Sequence, residues 1–122
     1  MSSSDFSTLT LRVELPAAID SLDYESMTPI QAQSLPVMLV GGDVLAQANT
    51  GSGKTAAFAI AMLNKLEERR YQTQGIVICP TRELADQVAD EIRRLARTIA
   101  NVKVLTLCGG KPFGPQLASL QR

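Results

Sequence analysis

The 122-residue sequence predicts an α/β fold, a parallel sheet with flanking helices, on three observations. Three short runs of β-branched and apolar residues, Asp43 to Ala48, Gly75 to Cys79 and Lys103 to Leu107, read as buried strands. Two long helical patterns separate them, and a strand-helix-strand-helix-strand order makes each helix a crossover between parallel strands. A turn crowded with glycine and hydroxyl residues joins the first run to the first helix.

In chain order, Leu15 to Leu22 ("LPAAIDSL") and Thr28 to Leu39 ("TPIQAQSLPVML") read as short helices, with Pro36 expected to break or restart the second. Thr28 as N-cap, Pro29 as first helical residue and Gln31 as N3 make a capping box. Residues 1–42 thus form a helical extension, and residues 43–122 the first part of the sheet domain. The helix from Gly53 to about Arg69 is apolar nearly all round between Ala56 and Leu63, so it packs on more than one neighbour. The helix from Thr81 to about Ile99 carries one stripe, Leu84, Val88, Ile92, Leu95 and Ile99, facing the sheet. Glu67 to Arg70 and the basic run Arg93, Arg94, Arg97 read as solvated helix surface. The tail "GGKPFGPQLASLQR" begins as a turn and ends as a helix. A doubly wound domain has about five or six strands, so with three in view the chain looks cut short.

Composition removes several function classes. No apolar run approaches a bilayer span, and "MSSSDFSTLT" has neither the basic nor the apolar region of a secretory signal, so the cytoplasm is the expected compartment. There is no histidine, and Cys79 and Cys108 lie far apart, which argues against a zinc site or a Ser-His-Asp relay and for two reduced, packed thiols. Lys plus Arg and Asp plus Glu balance at 12 each, so any nucleic-acid contact must come from local geometry.

The run Ala48-Asn49-Thr50-Gly51-Ser52-Gly53-Lys54-Thr55 fits the P-loop pattern, with Ala at its first position where the strict form has Gly. Glycines let successive backbone N–H groups turn into one concavity, and the helix that follows adds its positive end. Lys54 then suits the β- and γ-phosphates and the Thr55 hydroxyl suits Mg²⁺. The base and the reaction stay open at this point. In "DYESMTPIQ", Gln31 has the side chain that can pair with the N6/N7 edge of adenine and Tyr24 offers a stacking face, although a cap alone would also explain Thr28 and Gln31.

Taken together these residues resemble the DEAD-box ATP-dependent RNA helicases. Asp23 to Gln31 is similar to the family's Q motif, with its upstream aromatic on Phe6; Ala48 to Thr55 is similar to motif I, Pro80-Thr81-Arg82-Glu83-Leu84-Ala85 to motif Ia, and Gly109-Gly110 to the glycine doublet. The wording "CPTRELADQV" and "LTLCGGKPFG" looks most like the DbpA-type branch, whose members act on large-subunit ribosomal RNA. Asp23, where the family usually has Gly, and Met27, where Pro is common, depart from the pattern.

The resemblance implies a RecA-like P-loop domain, incomplete here, with ATP and Mg²⁺ as cofactors and RNA as partner. Gln31 would bond adenine, Tyr24 would stack on it, Phe6 would steady that lid, and Thr28 and residues Ala48 to Thr55 would complete the nucleotide site. Pro80, Thr81, Arg82, Gly109 and Gly110 would contact the backbone of one RNA strand. The family's D-E-A-D and S-A-T stretches and second RecA-like domain are not among these residues, so the chain alone is expected to be inactive, to need the rest of the helicase, and to be marginally stable because its sheet has a gap. Two other readings stay open: a guanine-type P-loop enzyme, against which no N-K-x-D motif appears, and a non-catalytic module that binds nucleotide, RNA or a partner completing its sheet.

Overall fold

The computed structural model describes residues 5–49 and 51–121. A 3-10 turn at Phe6–Thr8 leads into five helices: α1 (Glu14–Ser21), α2 (Pro29–Leu39), α3 (Lys54–Lys65), α4 (Arg82–Leu95) and α5 (Phe113–Leu120). In α1 the spacing of Leu15, Ala18 and Ile19 puts all three on one buried stripe. α2 starts at the expected capping box: Gln31 N–H donates to Thr28 Oγ1 at 3.4 Å, and Thr28 N–H donates to Gln31 Oε1 at 3.0 Å. Pro36 does not break this helix as expected; it is exposed inside a continuous α2, where the missing N–H costs one backbone bond while packing against α3 holds the turns on either side.

α3 is central, packed between α2 and α4. Ala56, Ala57, Ala59, Ile60, Ala61 and Leu63 are all buried, the near-continuous apolar surface that two neighbours require. α3, Leu15 and Ile19 of α1, Leu35 of α2, and Leu95, Ala96 and Ile99 at the end of α4 form the core, joined by Phe6 and Met27. On α4, Val88, Ala89 and Leu95 are buried and Ile92 packs at the edge, but Leu84 is 38% exposed, so the expected stripe is covered only over the later turns.

Both long helices stop short of their expected ends. α3 ends at Lys65 because Arg12 takes its last carbonyls: Arg12 Nη1 donates to Leu63 O at 3.1 Å and to Leu66 O at 3.0 Å, and Leu66 itself turns extended. The same guanidinium pairs with Glu14 and Glu68, while Arg12 N–H donates to Asn64 Oδ1 at 2.7 Å. The run Glu67 to Arg70 therefore lies beyond the helix, with Glu68 engaged by Arg12 and Glu67 bonded through its backbone to the Gln74 side chain. After α4 the chain turns at Asn101, which holds φ 62, a left-handed value that Asn tolerates better than most residues.

The three expected strands behave differently from the helices. Among the described residues no strand is assigned, and no backbone hydrogen bond joins 43–48, 75–79 and 103–107 to one another. A strand needs a neighbour about 4.8 Å away to satisfy its ladder, and these segments have none among the described residues. Leu45, Ile76 and Ile78 are 103%, 78% and 91% exposed, so one apolar layer expected in a sheet core lies open. Residues 102–108 still show a two-residue rhythm, with Val102, Val104, Thr106 and Cys108 half-buried and Lys103, Leu105 and Leu107 exposed. Arg93 Nη2 donates to Val104 O at 3.0 Å and holds this segment against α4. Cys79 and Cys108 are free, half-buried thiols.

Replacing Arg12 with Ala should lower unfolding free energy by about 2–3 kcal/mol, because it strips two helix-end carbonyls and two carboxylates of one cation. Lys should recover only part, since a single ammonium cannot span all four acceptors. Urea unfolding followed by circular dichroism measures both, and an unchanged midpoint for Arg12→Ala would remove Arg12 from this role.

Candidate functional site

The glycine-rich turn lies where α3 begins. Ser52 N–H donates to Asn49 O at 3.1 Å, closing the turn, and Gly53 caps α3 with φ 87 and ψ 18. A Cβ at Gly53 would meet Gln31 Nε2 at 2.4 Å and Thr28 Oγ1 at 3.0 Å, so both the left-handed backbone and the close approach of α2 call for glycine. The approach is a bond: Gln31, only 3% exposed, donates from Nε2 to Gly53 O at 3.1 Å. The capping glutamine of α2 thus grips the N-terminus of α3. Lys54 is exposed and its ammonium folds back to donate to Ala48 O, while Thr55 is half-buried in the first helical turn. Thr50 lies outside the described residues.

Beside this turn is a cleft of about 520 Å³ lined by Thr28, Pro29, Ile30, Gln47, Ala48, Asn49 and Ser52. Ser52 Oγ is buried and has no hydrogen-bond partner among the described residues. A buried hydroxyl without a partner is unfavourable by about 1–3 kcal/mol, and an incoming phosphate oxygen would satisfy it. Thr28, Ala48, Asn49 and Ser52 therefore line one cleft together. Pro29, Ile30 and Gln47 join them without having been named as site residues; the sequence marks Pro29 only as the first helical residue of α2.

Tyr24 and Phe6 are placed together but not in that cleft's lining. Their ring centroids are 6.5 Å apart, and the Tyr24 hydroxyl donates to Glu91 Oε1 of α4 at 2.6 Å. Burial, then the bond to Glu91 and its negative charge, push the Tyr24 phenol up to about 12, with Arg94 opposing. Asp23, just before it, has φ 59. A left-handed residue is what a glycine at this position would supply at least strain, which accounts physically for the departure noted at Asp23; aspartate is one of the few other residues that adopt it. Met27 is buried in the core.

The second cluster surrounds the start of α4. Thr81 caps it, its hydroxyl accepting from Leu84 N–H at 3.2 Å, and Arg82 is the first helical residue. Gly109 and Gly110 form an exposed turn, and Arg82 Nη1 lies 3.5 Å from where a Gly110 Cβ would sit. Pro80, Thr81, Arg82, Gly109 and Gly110 are all exposed, so two stretches distant in sequence share one accessible surface of helix N-terminus, guanidinium and glycine turn. Such a surface suits a phosphate backbone.

Residues 28–122 match the sequence profile described as DEAD/DEAH box helicase. The chain belongs to the DEAD/DEAH box helicase family. It is 57% identical over 115 residues to the ATP-dependent RNA helicase DbpA of Escherichia coli (strain K12), covering 92% of this chain and 25% of that protein. It is 42% identical over 121 residues to the ATP-dependent RNA helicase DeaD of Mycobacterium tuberculosis, covering 99% and 22%. Among solved structures, a DEAD box protein from the hyperthermophile Methanococcus jannaschii superposes with a TM-score of 0.83 at 37% identity, over 96% of this chain and 32% of that one. The RNA helicase Prp28 of Chaetomium thermophilum bound to ADP gives 0.78 at 31% identity, over 91% and 28%. The chain thus spans about a quarter of the length of the curated relatives it matches. These neighbours are RecA-like helicase domains, in accord with the expected fold class, while the sheet itself is not formed among the described residues. No helix described is long and apolar enough to cross a membrane, and no group of three or more His, Cys, Asp or Glu side chains that could hold a metal ion occurs among the described residues.

Gly53→Ala should destabilise the chain by about 1–2 kcal/mol, through left-handed strain plus the clash with Gln31; thermal melting reads the loss, and an unchanged midpoint would remove the need for glycine there. The raised Tyr24 pKa favours the folded state with the phenol neutral, so its contribution is complete below pH 10, the group's ordinary value, and lost as pH rises through about 12. In a Tyr71→Phe background only Tyr24 remains, and its tyrosinate absorbance should appear near pH 12.

Proposed function

We propose that these residues form the ATP-holding and RNA-contacting part of a cytoplasmic ATP-dependent RNA helicase that acts on ribosomal RNA during large-subunit assembly. The observation that carries the reading is the Gln31 amide, buried between the Thr28 cap and Gly53 O. With one N–H given to Gly53 O and one lone pair to Thr28 N–H, its second N–H and second lone pair are the edge that would read adenine, beside the backbone that would hold phosphate.

In this reading Gln31 and Thr28 recognise the base, Tyr24 stacks on it with Phe6 behind, and Asn49, Thr50, Gly51, Ser52 and Gly53 line the phosphates. Lys54 exchanges Ala48 O for the β- and γ-phosphate oxygens, a swap of a neutral acceptor for a charged one that favours the ligand. Thr55 would hold Mg²⁺, which supplies charge neutralisation at the phosphates when bound. Pro80, Thr81, Arg82, Gly109 and Gly110 take the RNA backbone, and without contacts to base edges they bind regardless of sequence. The 122 residues contain no D-E-A-D stretch, so they hold ATP without hydrolysing it appreciably, and activity belongs to these residues together with the remainder of a helicase. The open faces of Leu45, Ile76 and Ile78 favour the companion reading in which these residues act as a binding module until other strands cover them.

Gln31→Ala should erase a preference for ATP over GTP worth about 1–3 kcal/mol, measured by competition against a fluorescent ATP analogue. An unchanged preference would remove Gln31 from base recognition, and tighter binding of GTP by the unmodified chain would replace the adenine reading with a guanine one.

A further inference from the structure

The turn at Gly109 and Gly110 is held by a side chain outside every motif quoted above. Gln116, in the first turn of α5, reaches back to the residue just before the glycines: its Oε1 accepts Cys108 N–H at 2.7 Å, and its Nε2 donates to Cys108 O at 3.2 Å. A backbone N–H can only donate, so that first bond fixes which end of the amide is oxygen. The same Nε2 donates to Pro112 O at 3.2 Å, with Lys111 O a longer third acceptor at 3.5 Å. One amide therefore grips both flanks of the glycine turn.

Residues 103–107 have no ladder partner among the described residues, yet Gln116 gives Cys108 the two bonds, one accepted and one donated, that a neighbouring strand would give. Lys103 Nζ donates to Ser119 O and ties the other end of the segment to α5. The covered positions of α5 are used accordingly: Gln116 and Ser119 are half-buried, whereas Phe113, Leu117 and Leu120 are exposed. A half-buried amide is tolerated where its polar atoms are bonded, and here both the oxygen and the nitrogen are engaged.

The glycine backbone itself is left free. Neither Gly109 N–H nor Gly110 N–H has an acceptor among the described residues, and both glycines are exposed. Gly110 holds φ 78, and Arg82 Nη1 lies 3.5 Å from where its Cβ would sit. Two available N–H groups beside a guanidinium suit a phosphate oxygen.

We propose that Gln116 is a positioning residue for RNA binding: by clamping Cys108 and Pro112 it holds the turn between them in the shape that meets a phosphate beside Arg82. The inference rests on the RNA reading above and adds the residue that presets the turn. Glycines lose more backbone freedom on being fixed than other residues, so a turn fixed before RNA arrives binds it more tightly than a loose one. If the turn without the amide spends about a tenth to a fifth of its time in the binding shape, the apparent Kd rises about five- to tenfold.

The test is the affinity of the full 122-residue chain for a fluorescein-labelled single-stranded oligouridylate, by anisotropy at low salt, beside its affinity for a fluorescent ATP analogue with Mg²⁺. Gln116→Met keeps the length and helix propensity of the side chain and removes the amide. It should weaken RNA binding by about five- to tenfold and leave nucleotide affinity and helical circular dichroism unchanged. Amide exchange at Gly109 to Lys111 without RNA should quicken in the same variant. Gly110→Ala, strained at φ 78, should lose RNA binding on its own, and Gln116→Met should add little to that loss because both act through one turn. A Gln116→Met chain that binds RNA as the unmodified chain does would overturn the positioning role alone. So would a Gln116→Met chain that loses RNA and nucleotide alike, since Gln116 would then support the whole fold, or losses from the two substitutions that add in full. An unmodified chain that binds nucleotide but no RNA would sink the RNA reading and this inference with it.

Discussion

A buried amide, the side chain of Gln31, is the joint on which the remaining geometry depends. Its oxygen closes the N-terminus of α2 and its nitrogen closes onto Gly53 O, so one planar group fixes two helix starts against each other. Both helix starts then have directed partners and the intervening turn must fit between them. Gly53 can approach so closely only because it lacks a Cβ and accepts φ 87. The cleft beside Ser52 and the fold of Lys54 back to Ala48 O both follow from where that turn is held. A buried polar group engaged on both of its ends is costly to disturb, which makes the cradle a defined shape and not a flexible glycine loop.

The helical layer and the extended segments are held by different physics. α3 is covered on both sides, and Arg12 seals its far end by collecting two carbonyls and two carboxylates around one guanidinium. That cation satisfies carbonyls at the C-terminus of α3, whereas Gln31 anchors the N-cap carbonyl of that helix, Gly53 O, which also accepts Ala57 N–H. The extended segments have neither ladder bonds nor a covered face among the described residues, and Leu45, Ile76 and Ile78 remain open. Apolar area left in water contributes nothing to the fold, at about 25 cal/mol per Å² forgone. The glycine-rich turn and its cleft are built on the well-packed side, whereas the surface of Arg82 and Gly110 sits at the ends of the less covered segments.

Helices were the legible part of the sequence because their signals are local. The capping box at Thr28 and Gln31, the all-round apolar surface of α3 and the later turns of the α4 stripe can each be read within about four residues, and each is present. Pro36 and the far ends of α3 and α4 were less legible because packing and a distant arginine decide them. The strand segments show the limit most clearly: "GIVIC" has the composition of a buried strand, but burial requires a partner, and composition cannot supply one. At the glycine-rich turn and the start of α4, motif spacing singles out Ser52, Gly53, Lys54, Thr81 and Arg82 as candidates, while nothing local marks the bond from Tyr24 to Glu91, whose ends are remote in sequence. Asp23 reads as a departure in sequence and as a left-handed hinge in the structure, so its meaning lies in a backbone angle that the letter alone does not state.

If Gln31 couples the base-side cap to the phosphate cradle, nucleotide should protect the two as one unit. Amide hydrogen exchange on the chain, with and without Mg²⁺ and ATP, measures this residue by residue. The expected result is slower exchange at Thr28 to Gln31 and at Gly51 to Thr55 together, lost from both stretches in Gln31→Ala. Protection confined to Gly51 to Thr55, unchanged by that substitution, would contradict the account, because the cradle would then hold phosphate with no help from α2.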